Sequence, residues 1–216
     1  AKIEGAGTSN IKITGVKRLK DISYNIMPDR IEAASLLCMV AATGGKIKLN
    51  NIITDNITPV INKLEECGCK IEKEKNTVYL EAPRKLKAVD IKTMPYPGFP
   101  TDMQSVFASM LTTAKGTSVI VENIFENRYK FMAELKKMGA KITIEGKTAV
   151  IKGVRKLYGA KVISTDLRGG AALVTAGLAA RGKTEITNIE YILRGYEGLD
   201  KKLQQLGAKI EIKKDE

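Results

Sequence analysis

Leu64-Glu65-Glu66-Cys67-Gly68-Cys69-Lys70-Ile71 recurs as Leu135-Lys136-Lys137-Met138-Gly139-Ala140-Lys141-Ile142 and again as Leu203-Gln204-Gln205-Leu206-Gly207-Ala208-Lys209-Ile210. In each copy a charged helical run stops at a glycine and a strand is expected to open. The three glycines lie about 70 residues apart, the signature of a tandem repeat. Glycine suits the end of a helix because the left-handed conformation there is free of a Cβ clash. The chain opens with Ala1-Lys2-Ile3-Glu4, which reads like the tail of an earlier copy, and ends before the third copy has a last strand. The expectation is a piece of a longer protein.

Working outward, each unit carries the same parts. A basic pair leads into Val16-Lys17-Arg18-Leu19, Pro83-Arg84-Lys85-Leu86 or Val154-Arg155-Lys156-Leu157, each expected to begin a strand. An Asp (Asp29, Asp102, Asp166) then opens a helix, where its charge and its oxygens suit the free N–H groups. These first helices are apolar nearly all round, which marks them as buried. They end at Gly45, Gly116 and Gly182, and a strand with Asn-Ile follows at Asn51-Ile52, Asn123-Ile124 and Asn188-Ile189. The second helices are amphipathic, with Ile57, Val60, Ile61 and Leu64 or Phe131, Leu135 and Met138 at helical spacing. Each unit reads βαβαββ. The fold class is α/β (α+β): an inside-out α/β barrel domain of three βαβαββ repeats around a buried three-helix bundle. The unit boundaries fall at about 15–82, 83–152 and 153–216 of one domain. The N-terminal hairpin, 1–14, is either a remnant of an upstream domain or the strand pair that closes the third unit and protects its edge.

Composition narrows the chemistry. Lys and Arg number 36 against 24 Asp and Glu, a net charge of +12 that favours anionic partners. The lysines are dispersed rather than blocked, and aromatic residues make up 5% with no Trp, which argues against a stacking platform for nucleic acid. There is no His, so imidazole metal ligands and His general bases are excluded. Cys38, Cys67 and Cys69 have no framework or metal-binding spacing, which points to a reducing cytoplasm. No apolar run reaches the ~18 residues of a membrane span.

Four stretches depart from the repeat, and these are where chemistry is expected. Pro95-Tyr96-Pro97-Gly98-Phe99-Pro100 is a stiff loop that delivers Asp102 to a helix start, either as an ordinary cap or as a carboxylate that takes a proton from a hydroxyl. Ile124-Phe125-Glu126-Asn127-Arg128 places Arg128 at the start of the second helix of unit two. Thr165-Asp166-Leu167-Arg168 and Leu193-Arg194-Gly195-Tyr196-Glu197 add two more arginines in unit three. Pseudo-threefold symmetry gathers equivalent loops on one face, so Arg128, Arg168 and Arg194 are expected to converge with Asp102. Guanidinium groups each grip two oxygens and suit a small ligand bearing carboxylate and phosphate.

The strings IEGAGT, PDRIEA, PYPGFPTDMQ, IFENRY, TDLRGGAALV and RGYE resemble the UDP-N-acetylglucosamine 1-carboxyvinyltransferases of the enolpyruvyl transferase family, over essentially the whole chain. The resemblance implies two domains of three βαβαββ units with the site between them. It implies transfer of enolpyruvyl from phosphoenolpyruvate to the 3-hydroxyl of UDP-N-acetylglucosamine, the first committed step of peptidoglycan synthesis, without metal or organic cofactor. Residue by residue, Asp102 resembles the carboxylate at the sugar 3-hydroxyl, and Ile124 with Phe125 resembles the contact to the UDP-sugar. Arg194 resembles the arginine that closes on phosphoenolpyruvate, with Arg128 and Arg168 as its companions. The family's catalytic Cys loop and an N-terminal Lys-Asn pair belong to the other domain and have no match here, so the chain is expected to be inactive alone and to offer fosfomycin no covalent target. Tyr191 stands where the family often has His. Partners implied are the two substrates, with no nucleic acid and no membrane, and the uncovered domain face is a candidate for self-association. The competing readings are a 3-phosphoshikimate 1-carboxyvinyltransferase-like enzyme and a basic RNA-binding module.

Overall fold

The computed structural model describes residues 1–213. Three helices form its centre: α1 (Arg30–Thr43), α3 (Thr101–Leu111) and α5 (Leu167–Ala179), each packed against the other two. Their contacts are made by small and apolar residues such as Leu37, Val106, Phe107, Ala172 and Leu173, all 0% exposed. The small residues bring the backbones close enough for Ser109 Oγ on α3 to donate to the Ala172 carbonyl on α5 at 2.7 Å. The buried three-helix bundle expected from the all-round apolar helices is present.

Around it lie the three units. In the first, β3 (Lys46–Asn50) is followed by a 3₁₀ turn (Thr54–Ile57), α2 (Thr58–Glu66), β4 (Lys70–Glu74) and β5 (Thr77–Glu81), in the antiparallel order β3-β5-β4. The second has β6 (Ile91–Lys92), then α3, β7 (Thr117–Val121), α4 (Phe131–Lys137), β8 (Lys141–Glu145) and β9 (Thr148–Lys152). Its sheet runs β6-β7-β9-β8, with β6 parallel to β7 and the rest antiparallel. The third holds β10 (Lys161–Ile163) parallel to β11 (Glu185–Thr187), with α5 between them, and then α6 (Glu190–Leu193) and α7 (Leu199–Gln205). The outer helices bury one face only: Val60, Ile61 and Leu64 of α2, and Phe131, Met132 and Leu135 of α4, are fully buried. Gly68, Gly139 and Gly207 sit at φ of 98°, 93° and 90°, the left-handed turn that lets each helix stop and the chain reverse.

Among the described residues the full βαβαββ order appears only in the second unit. The stretches around Leu86 and Leu157 are staples rather than strands: each buries its leucine, while its backbone bridges the end of an outer helix and the turn after an inner one. Thus Lys87 N–H donates to Cys67 O and Lys115 N–H to Leu86 O, and Tyr158 N–H donates to Met138 O and Arg181 N–H to Leu157 O. The strands follow later, as β6 and β10. In the first unit residues 15–29 form neither helix nor strand, and Leu19, Ile22 and Ile26 are exposed. All three inner helices also stop short of the glycines expected to end them: α1 is capped by Gly44 rather than Gly45, α3 by Thr112 well before Gly116, and α5 by Ala180 before Gly182.

The N-terminal hairpin does not close the third unit. β1 (Lys2–Glu4) and β2 (Lys12–Thr14) pair only with each other, and every one of their residues is exposed. Residues 208–213 are not a strand either, and no described strand pairs with them. Residues 214–216 of the expected third unit lie outside the described residues.

Candidate functional site

The N-terminal turns of the inner helices meet at one end of the bundle. There Ser35 Oγ of α1 touches Met103 S of α3 at 3.7 Å, and the side chains of α3 and α5 join through Asp102. Asp29 and Asp166 are true caps: Asp29 accepts from Ile31 N–H at 2.7 Å, and Asp166 accepts from the Arg168 and Gly169 N–H groups, each at 2.9 Å. Asp102 is not. The cap position of α3 is Pro100, which has no side-chain hydrogen bond, and Asp102 lies one residue inside the helix. Its carboxylate is thereby free for other partners. Arg128 Nη2 donates to one oxygen at 3.0 Å and Arg168 Nη2 to the other at 3.1 Å.

Each arginine is held from behind. Arg128 sits in the turn before α4, not at its first residue, and is 8% exposed. Its Nε donates to Thr101 Oγ1 at 3.4 Å, and its guanidinium lies 4.3 Å from the centroid of the Phe125 ring. Arg168 is the second residue of α5, with its guanidinium 5.9 Å from the Tyr196 ring centroid. Burial works against its charge, but Tyr196 and Asp102 outweigh that and hold its pKa above the ordinary value. Tyr196 is itself buried, with its hydroxyl 2.9 Å from Ser35 Oγ, and burial first of all pushes its pKa up.

Ile124 and Phe125 follow β7 on a turn, 45% and 52% exposed, so the loop presents two large apolar side chains to solvent beside Arg128. Their amides donate to one oxygen of Glu122, at 2.9 and 3.0 Å. Arg194 is different. It caps α6, is exposed, and stacks at 5.5 Å on Tyr191; among the described residues it makes no bond to Asp102. Its turn is nonetheless seated on α5, since a Cβ at Gly195 would come within 2.7 Å of Leu167. Of the four charged residues expected to converge, Asp102, Arg128 and Arg168 are in contact, whereas Arg194 contacts Tyr191 instead.

Sequence reasoning missed Glu122, Thr101, Tyr196 and Ser35. Glu122 did leave a trace: at the repeat position before Asn-Ile the other units have Asn50 and Thr187, so a charged residue there breaks the pattern. Two concavities, of about 570 and 340 Å³, are open grooves on the outer sheet faces, and neither is lined by Asp102 or its partners. Among the described residues no helix is long and apolar enough to cross a membrane, and no group of three or more His, Cys, Asp or Glu is placed to hold a metal ion.

The geometry has a chemical meaning. A carboxylate has about four lone-pair sites, and the clamp occupies one on each oxygen, leaving others for a hydroxyl. Two guanidiniums face one carboxylate, so the contact pair carries excess positive charge and spare N–H groups for an anion. Residues 1–203 match the family model of EPSP synthase (3-phosphoshikimate 1-carboxyvinyltransferase), and the chain belongs to that enolpyruvyl transferase family. Within it, the similarity runs to the UDP-N-acetylglucosamine 1-carboxyvinyltransferases. One of these, from Caldanaerobacter subterraneus subsp. tengcongensis, is 54% identical over 97% of this chain and 51% of its own length. Another, from Desulfofundulus thermocisternus, is 54% identical over 97% of this chain and 87% of its own. The chain thus spans about half the length of the Caldanaerobacter relative. Among solved structures, the enolpyruvyl transferase NikO from Streptomyces tendae superposes with a TM-score of 0.76 at 26% identity, over 85% of this chain and 44% of that one. EPSP synthase from Acinetobacter baumannii shares the fold, with a TM-score of 0.79 at 20% identity over 99% of this chain and 53% of that one.

Proposed function

We propose that this chain supplies the Asp102 half of the site of a UDP-N-acetylglucosamine 1-carboxyvinyltransferase, which moves enolpyruvyl from phosphoenolpyruvate to the sugar 3-hydroxyl. The observation that carries the reading is the clamp: a carboxylate lifted off its helix cap and held by two arginines, in a chain 54% identical to such enzymes. Asp102 accepts the proton of the sugar hydroxyl as its oxygen adds to the enolpyruvyl double bond. Arg128, Arg168 and Arg194 stabilise carboxylate and phosphate charge until the new methyl group gives up a proton, the enol double bond re-forms and phosphate departs. Ile124 and Phe125 form the apolar edge against which the UDP-sugar lies. The acid that protonates the enolpyruvyl methylene comes from the other half of the protein, as does much of the uridine contact. The role belongs to peptidoglycan synthesis in the bacterial cytoplasm.

The test is phosphate release from phosphoenolpyruvate in the presence of UDP-N-acetylglucosamine, with this chain alone and with the complementary half of a relative added. Activity in the mixture alone, lost in Asp102→Ala, is the expected result. Turnover by the chain alone, or a mixture that uses shikimate 3-phosphate in place of the UDP-sugar, overturns the proposal. The second outcome would favour the chemistry named by the family model.

A further inference from the structure

Glu122 is a buried carboxylate, 2% exposed, that joins three separate pieces of chain. One oxygen accepts from Thr93 Oγ1 at 2.7 Å, Ile124 N–H at 2.9 Å and Phe125 N–H at 3.0 Å; the other accepts from Thr101 Oγ1 at 3.0 Å. Thr93 Oγ1 in turn accepts from Asn123 N–H at 2.8 Å, which fixes the direction of its own proton toward Glu122. The same logic orients Thr101. Its hydroxyl gives its proton to Glu122 and so turns a lone pair toward Arg128 Nε, 3.4 Å away. Arg128 then meets Asp102 with its Nη2.

We propose that Glu122 is a positioning residue that sets two parts of the site at once. Through the amides of Ile124 and Phe125 it shapes the exposed turn, and through Thr101 it aims Arg128 at Asp102. Groups held to within fractions of an ångström by such backing contacts act at full strength; loosened, they lose rate without losing the fold. The functional half of the inference rests on the transferase reading above, whereas the relay from Glu122 through Thr101 to Arg128 does not.

The two oxygens of Glu122 have separate duties, which makes the proposal testable on this chain. In Glu122→Gln the amide oxygen keeps the three donors Thr93, Ile124 and Phe125, and the amide nitrogen faces Thr101. Thr101 must then accept there and loses the acceptor for its own proton, which weakens its hold on Arg128. The first measurement is hydrogen exchange by NMR. Glu122→Gln and Thr101→Val are expected to speed exchange at Arg128 Nε–H while sparing the Ile124 and Phe125 amides. Glu122→Ala is expected to speed all three, and Thr101→Ser is expected to restore the wild-type pattern. A carboxylate with only a packing role would loosen all three sites together in every variant, or none. The second measurement is the phosphate-release assay in the two-part mixture. There Glu122→Gln and Thr101→Val should each lower kcat/KM about tenfold, and the double variant no further, because both break one chain of contacts. Multiplicative losses, or unchanged Arg128 exchange in both single variants, overturn the proposal. If the unmutated mixture is silent, the transferase reading has failed, and the exchange pattern alone decides the role of Glu122.

Discussion

The hydroxyls of Ser35 and Tyr196, 161 positions apart in the chain, lie 2.9 Å from each other among the inner helices. The bond ties the first unit to the last. It also seats the Arg194-Gly195-Tyr196 turn and places the Tyr196 ring behind Arg168. Tyr196→Phe should therefore cost about 1 kcal/mol of stability, the usual worth of a buried neutral hydrogen bond. Ser35→Ala should cost a similar amount. The two losses should not add, since each removes the same bond. Urea denaturation of the two single variants and the double variant measures this.

Asp102 is expected to matter to the fold as well as to the site. In Asp102→Ala the two guanidiniums face each other without their shared counter-ion, and Arg128 is nearly buried. A loss of about 2 kcal/mol is expected, kept below the range for fully buried pairs because Asp102 is partly solvated. Inorganic phosphate should then raise the melting temperature of Asp102→Ala more than that of the unmutated chain, because an anion binding the folded state alone stabilises it. In the two-part assay the same variant should lose about 100-fold or more in rate, the usual contribution of a positioned acid or base. Equal responses to phosphate would show that the arginines part once the carboxylate is gone.

Gly170 lies on the face of α5 against which α6 packs. A Cβ there would come within 2.5 Å of both Ile192 Cγ1 and Ser164 Oγ. Gly170→Ala should cost about 1–3 kcal/mol through overpacking. Because Ile192 belongs to α6, the helix that Arg194 caps, the variant should also displace that arginine. Gly177 on the same helix is the comparison: its nearest contact is Thr184 Cβ at 3.3 Å, a milder approach, so Gly177→Ala should cost less than Gly170→Ala. Thermal melts of the two variants, with chemical shifts around Arg194, test the pair.

The three thiols should be silent in the folded chain. Cys38 and Cys67 are fully buried and Cys69 is nearly so. Burial pushes Cys67 up to about 12 and Cys69 to about 11 from 9.0, and lifts Cys38 well above it. Thiolate is the reactive form, so neither fosfomycin nor iodoacetamide should add mass to the native protein near neutral pH, while denatured protein should take up iodoacetamide three times.

The same shifts set an alkaline limit. A thiol whose pKa is higher in the folded state keeps its proton when the unfolded chain has lost it. Its contribution is therefore present below about pH 9 and drains away as pH rises toward 11–12. The urea midpoint should fall between about pH 8 and about pH 10.5, and Cys67→Ala with Cys69→Ala should flatten that fall. An unchanged slope would assign the alkaline loss to Tyr196 and the other groups.

Much of the architecture was legible because it is written locally. Apolar residues all round α1, α3 and α5 can only be buried, and the one-sided pattern of α2 and α4 can only lie on the outside. The left-handed glycines after the outer helices follow from the absence of a Cβ. The short strands were less legible. Leu86 and Leu157 have the pattern of strand residues, but their backbone partners lie on two different elements, and nothing in a short run of sequence names them. The first unit lacks its leading strand although Ile22, Tyr24 and Ile26 have the alternation of one, since a strand exists only where an edge receives it.

The site divides in the same way. Asp102, Arg128 and Arg168 stood out as charged residues at loops where the repeat breaks, and a chain with no His left few other groups able to move a proton. Residue type and spacing also fixed the repeat, the buried bundle and the basic character, for these depend on neighbours within a turn or two. Whether an Asp caps its helix or clamps two arginines was open until the chain folded. It turns on the two residues by which Asp102 follows the cap at Pro100 and on partners 26 and 66 positions away. Glu122 gained its two threonine donors, and Tyr196 its serine, only when distant segments met. Such contacts follow from packing that no local pattern encodes.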